Sequence, residues 1–237
     1  MVNTKQITVQ GFAVNVRDCG QGNPILMVHG FPFNGSMWDE QIKPLATSCR
    51  VIVPDLPGFG ESEKPKPGEI MTMHRMADLL AELLDELNVT QPVVLCGLSM
   101  GGYIAMQFVK YHADRLAGLV LCDTRTGADP PEAAEKRRAL AASVNESKLS
   151  DVADGMIPVL LCETTLQNKL NVVSRVREMI LGSSPEGVAA AALGMAERCD
   201  TTELLSGIKV PTLVIVGDSD RPSPPDVMRE MASALPN

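Results

Sequence analysis

The chain has 237 residues, 45% hydrophobic and 21% charged, with a formal net charge of −8 and a sequence pI near 4.9. That balance speaks against a disordered chain and against a membrane-embedded one, and the acidic excess repels phosphate backbones, so nucleic acid is not an expected partner. The length suits one compact domain with room for an insertion, whose core needs neither disulfide nor metal. The start, "MVNTKQITVQGFAV", lacks the basic flank and apolar block of a secretory signal, so cytoplasmic residence is expected. The six cysteines are scattered without a C-x-x-C pair and are read as reduced thiols, with Cys96 and Cys122 ending apolar runs as small buried hydrophobes.

In chain order, "ITVQGFAVNVRDCG" alternates apolar and polar residues on both sides of Gly11, the pattern of a half-exposed antiparallel hairpin. Later segments differ. Residues 25–28, 51–53, 93–96, 118–122 and 212–216 are continuous apolar runs, expected where helices cover both sheet faces. Between two of them, "MADLLAELLDELNV" places Met76, Leu79, Leu80, Leu83, Leu84 and Leu87 on one side of a helix. The order predicts an α/β fold: a mostly parallel sheet with helices on both faces and an antiparallel edge at the N-terminus. From about 125 to 205 strand signals stop. A helix start is read at Asp129 (N-cap) with Pro130 at the first helical position, and another at Ser184 before Pro185. Three or four helices are therefore expected as a cap over residues 125–205, inserted between a first core part, 1–124, and a second, 206–237.

Gly97-Leu98-Ser99-Met100-Gly101 is a G-x-S-x-G pattern set between a buried strand and a helix, the arrangement that exposes a nucleophilic serine on a sharp turn. The Met100 N–H lies at a helix N-terminus, where it faces developing negative charge. The alternative is a serine that merely caps the helix. Upstream, His29-Gly30-Phe31 ends another strand, and the Phe31 N–H is a candidate second oxyanion donor; His29 is read as bracing this turn, with a catalytic base as the alternative. "VIVPDLPGFGES", with Asp55, Gly58, Gly60 and Ser62, is read as shaping the same edge.

The H-G-F loop, the D-x-P-G-x-G-x-S loop, the G-L-S-M-G-G turn and "VPTLVIVGDSDRPSPP" resemble the α/β-hydrolase superfamily in order and separation, over nearly the whole chain. "LVLCDTRTGADPPEAAEKR" is similar to the group of 3-oxoadipate enol-lactonases and small carboxylesterases. The resemblance implies Ser99 as nucleophile and, from the G-x-x-D pattern after Gly217, Asp220 as the acid. Asp218 is its close competitor, with turn capping as its other role. Asp123 stands where some relatives keep the acid, or caps the following loop. The family's base is a histidine about 25 to 30 residues beyond the acid. The histidines here are His29, His74 and His112, and none falls there. The expectation is a chain cut short of its last strand and base, with a natural protein lacking the base as the alternative.

A serine nucleophile implies cleavage of an ester, thioester, lactone or amide through an acyl-enzyme. The expected substrate is a small ester or lactone, an enol-lactone among them, and no cofactor, metal or membrane partner is expected; oligomeric state is left open. Met156, Leu160, Leu161, Met179 and Met195 are candidate pocket residues from the cap, or its own core. Arg125 is the candidate contact for a substrate carboxylate. The competing readings are a ligand-binding or regulatory protein on the same scaffold, and a perhydrolase.

Overall fold

A computed structural model describes residues 3–144 and 149–236. It begins with β1 (Asn3–Val9) and β2 (Phe12–Cys19), joined at Gln10 and Gly11, both at positive φ (50° and 81°), as a two-residue hairpin turn of matching twist requires. There follow β3 (Asn23–Val28), α1 (Asp39–Leu45), β4 (Cys49–Pro54), α2 (Met73–Glu86), β5 (Val93–Leu98), α3 (Met100–Tyr111) and β6 (Leu116–Cys122). The helices α4 (Pro131–Ser143), α5 (Leu149–Leu160), α6 (Glu163–Asn168), α7 (Leu170–Leu181) and α8 (Pro185–Ala196) precede β7 (Thr212–Ile215) and α9 (Pro225–Ser233).

The strands form one sheet in the order β1-β2-β4-β3-β5-β6-β7. The pairs β1/β2 and β2/β4 are antiparallel and the rest are parallel, giving the α/β architecture with its antiparallel N-terminal edge. Strand alternation sends side chains to two separate cores. Leu26, Val28, Ile52, Leu95, Leu119 and Leu121 join Met76, Leu80, Ile104 and Phe108 of α2 and α3 on one face. Met27, Val51, Val53, Cys96 and Cys122 meet Trp38 and Ile42 on the other. Burial from both sides is the reason these strands read as unbroken apolar runs. The β7 strand ends the sheet among the described residues and leaves Leu213 and Ile215 exposed.

Two local expectations change. Pro130 rather than Asp129 occupies the N-cap of α4, and Pro131 takes the first helical position. Asp129 instead turns inward to Arg137 and Arg198, because the buried guanidinium of Arg198 and the half-buried one of Arg137 compete for its carboxylate. Five α-helices, not three or four, separate β6 from β7 among the described residues. Among those residues no helix is long and apolar enough to cross a membrane.

Candidate active site

Ser99 joins β5 to α3 with φ 51° and ψ −109°, outside the regions that a side chain normally allows. The turn is held from several sides. The Ser99 N–H donates to Cys122 O at 2.9 Å; its carbonyl accepts from Gly102 N (2.9 Å), Tyr103 N (3.2 Å) and Thr124 Oγ1 (2.8 Å). The flanking glycines are required by contact: a Cβ on Gly97 would stand 2.3 Å from Gly101 O, and one on Gly101 would stand 2.4 Å from Val28 O. Although Ser99 occupies the N-cap position of α3, its hydroxyl makes no capping hydrogen bond. Ser99 lines a cavity of about 370 Å³ together with Asp123 and Asp220.

The 29–31 loop lies beside this turn, since a Cβ on Gly30 would be 3.5 Å from the Cβ of Ser99. The side chains of Phe31 and Met100 are buried. Their N–H groups donate to no carbonyl in the described loop, turn and cap hydrogen bonds, and Met100 opens α3, whose first N–H groups have no partner within the helix. His29 is fully buried; its Nδ1 donates to Gly30 O at 3.0 Å and its Nε2 accepts from Leu56 N at 3.0 Å. Burial holds its pKa below the ordinary 6.5, so the imidazole is neutral and ties two loops together. Asp55 does similar work, accepting from Gly35 N (2.7 Å), Asn15 Nδ2 (2.8 Å) and Glu61 N (3.1 Å).

Asp123 directly follows β6 at φ 43°, and its Oδ1 accepts from Gly217 N at 2.8 Å, which pins the 217–220 turn beside the serine. Asp220 accepts from Ser223 N. Burial raises its pKa above the ordinary carboxylate value of 3.8, and the negative charge of Asp123 adds to this, against the Ser223 N–H and the positive charge of Arg125. Asp218 is exposed and faces an adjoining cavity rather than that of Ser99.

Of the residues expected from the helical segment, Leu160, Leu161 and Met179 line the Ser99 cavity, whereas Met156 and Met195 do not. Met195 receives a hydrogen bond from Arg137 instead. Arg125 lies in a separate cavity with Thr126 and Met231, reaching Asp220 only through its charge. Leu98 of the serine turn also lines it, as do Phe33, Met37, Glu40, Val172, Arg175, Val176 and Pro222, which were not singled out in the sequence. A 3- and 4-residue spacing of Val172, Val176 and Met179 marks an apolar helix side, but nothing in that spacing says which cavity it faces. His74 and His112 share the carboxylate of Asp78, at 3.1 and 2.8 Å. None of the three histidines lines the Ser99 cavity. Among the described residues, no three His, Cys, Asp or Glu side chains are grouped to hold a metal ion.

Known proteins resemble the chain in fold and sequence over most of its length. A thermophilic esterase from Thermogutta terrifontis, solved with malate bound, superposes with a TM-score of 0.94 at 49% identity, over 99% of this chain and 87% of that one. The enol-lactonase from Burkholderia xenovorans LB400 gives 0.89 at 28% identity, covering 98% and 88%. By sequence, a pimeloyl-[acyl-carrier protein] methyl ester esterase of Vibrio atlanticus is 27% identical over 92% of this chain and 84% of its own length. Residues 23–237 match the family described as alpha/beta hydrolase fold, a span running from β3 through the serine turn and Asp220. On that match, and on a sheet and helix order shared with solved hydrolases, the chain belongs to the alpha/beta hydrolase fold family.

Proposed function

We propose that the protein hydrolyses carboxylic esters or lactones through an acyl-enzyme on Ser99. The observation that carries this reading is the uncapped hydroxyl of Ser99, held on a strained turn and lining one cavity with Asp123 and Asp220. Relatives named as esterases and an enol-lactonase support it. In this reading Ser99 Oγ attacks the carbonyl carbon, and the oxygen gains negative charge beside the N–H groups of Met100 and Phe31. Collapse of the intermediate releases the alcohol; water then attacks the acyl group, releases the acid and restores the serine.

The serine proton needs an acceptor. Each of the three histidines is engaged elsewhere, His29 with Gly30 O and Leu56 N, and His74 and His112 with Asp78; in this reading Asp220 orients the proton acceptor and stabilises its positive charge. Asp123 positions the Asp220 turn through Gly217. Residues 125–205 act as a cap over a core formed by 1–124 and 206–237, with Leu160, Leu161 and Met179 as its contribution to the acyl wall.

The test is reaction with a fluorophosphonate and turnover of short-chain esters. Labelling confined to Ser99, together with at least a 10³-fold loss of turnover in Ser99→Ala, is expected. A protein that binds esters but shows neither labelling nor turnover would instead match a non-catalytic scaffold.

A further inference from the structure

Taking the Ser99 cavity as the acyl site of the reading above, we propose that it admits uncharged acyl groups and turns away those ending in a carboxylate. Asp39 and Glu40 set this selectivity by holding Arg175.

Among the described residues, Arg175, on α7, is the one cation lining the cavity. Its guanidinium is already engaged: Nη2 donates to Ser36 O at 2.8 Å and to Asp39 Oδ2 at 2.9 Å, and Nη1 lies 3.5 Å from Glu40 Oε1. These contacts join α7 to the 35–40 segment at the start of α1. Asp39 Oδ1 also lies 3.8 Å from Arg17 Nε, and Arg17 is paired with Asp55 at 3.2 Å; across this group the three carboxylates of Asp39, Glu40 and Asp55 outnumber the guanidinium groups of Arg17 and Arg175, and Asp123 and Asp220 add two more negative charges to the cavity lining. Phe33, Met37, Leu160, Leu161, Val176 and Met179 supply apolar wall. Other cations nearby stand outside this lining: Arg17 is paired with Asp55 and Asp39, Arg125 lines its own cavity, and Arg221 lies with Asp218 in the adjoining one.

A carboxylate at the far end of an acyl chain would leave water for apolar surface, meet an excess of negative charge and find no free cation among the described residues. An uncharged acyl chain meets none of these costs. The same geometry says how the preference is built. With Asp39 and Glu40 neutralised, Arg175 keeps its place on α7 with its charge uncompensated, and becomes a receptor for the carboxylate it now excludes.

The experiment uses the full chain carrying Ser99→Ala, so that binding is read without reaction, and compares methyl hexanoate with monomethyl adipate by calorimetry. The two differ in a terminal methyl against a terminal carboxylate. Methyl hexanoate is expected to bind about tenfold more tightly, an effect that falls between those of a unit charge about 4 Å away in water and at a protein surface. Adding Glu40→Gln, and then Asp39→Asn with it, should narrow and then reverse the ratio; adding Arg175→Met to that pair should restore it. Glu40 is largely exposed, so its single variant tests the charge without disturbing the fold. Equal affinities, tighter adipate binding, no binding of either ester, or a ratio insensitive to Glu40→Gln would each overturn the proposal. A retained preference for methyl hexanoate in a protein whose Ser99 resists fluorophosphonate would leave charge selection standing and remove the hydrolase reading; labelling without preference would do the reverse.

Discussion

His29 shows how a residue type associated with catalysis can be fully occupied by structure. Both ring nitrogens are satisfied only in the neutral form, because Nε2 must accept the Leu56 N–H while Nδ1 donates to Gly30 O. Protonation would remove that acceptor and place a charge at a site with no solvent exposure. Burial lowers the folded pKa below 6.5, so the unfolded chain takes up this proton first as pH falls. The contribution to stability is therefore complete above about pH 6.5 and declines below it, by at most about 1.4 kcal/mol per pH unit. Urea denaturation at pH 7.5 and 5.5 checks this: the wild type should lose more stability over that interval than His29→Asn does. Equal losses would show that the proton uptake lies elsewhere. The bracing role of His29 was readable from its place after a buried strand. The role of Arg175 was not, since a lone arginine on an amphipathic helix reads as solvated until its partners, 136 residues away in the chain at Asp39, are known.

Among the elements, α8 shows how a local start signal also docks a helix. Ser184 accepts from Gly187 N at 2.9 Å, the N-cap bond expected of serine before proline, and its N–H and Oγ both donate to Gly58 O, at 2.8 and 3.0 Å. The helix start thereby meets the loop after β4. The approach is backbone to backbone: a Cβ on Gly58 would lie 2.3 Å from Gly187 Cα. Replacing Ser184 with Ala removes the cap and one of the bonds to Gly58, and should cost about 1 to 2 kcal/mol in urea denaturation. Ser184→Thr, which retains a capping oxygen, should recover most of it. The start of α8 was visible because the cap and its proline are adjacent in the chain. The start of α4 was misplaced by one residue because Asp129, a good N-cap by type, is drawn away by Arg137 and Arg198, and Arg198 lies 69 residues distant.

Across the molecule, Arg198 and Asp129 fasten α8 to α4 and to the sheet-facing helix α3. Their side chains are 3% and 4% exposed, Arg198 stacks over the Tyr103 ring at 4.1 Å, and it also donates to Gly127 O. Burial alone would raise the Asp129 pKa, but Arg137 and Arg198 together hold it below 3.8. Removing the carboxylate in Asp129→Ala leaves Arg198 buried without its counter-charge, and should cost roughly 3 to 5 kcal/mol, measured by denaturation at neutral pH. A loss under about 1 kcal/mol would mean that Gly127 O and Tyr103 suffice. The sheet class, the serine turn and the amphipathic α2 all follow from neighbouring letters, because strand and helix periods and glycine turns are short-range consequences of backbone sterics. Periodicity tells which side of an element is covered, and says nothing of what covers it. Only packing decided that Asp123 and Asp220 join Ser99 while Asp218 stays outside, and that Arg175 rather than Arg125 faces the cavity. Those pairings are made between segments that are far apart in the chain and meet only when the sheet and its inserted helices have closed around them.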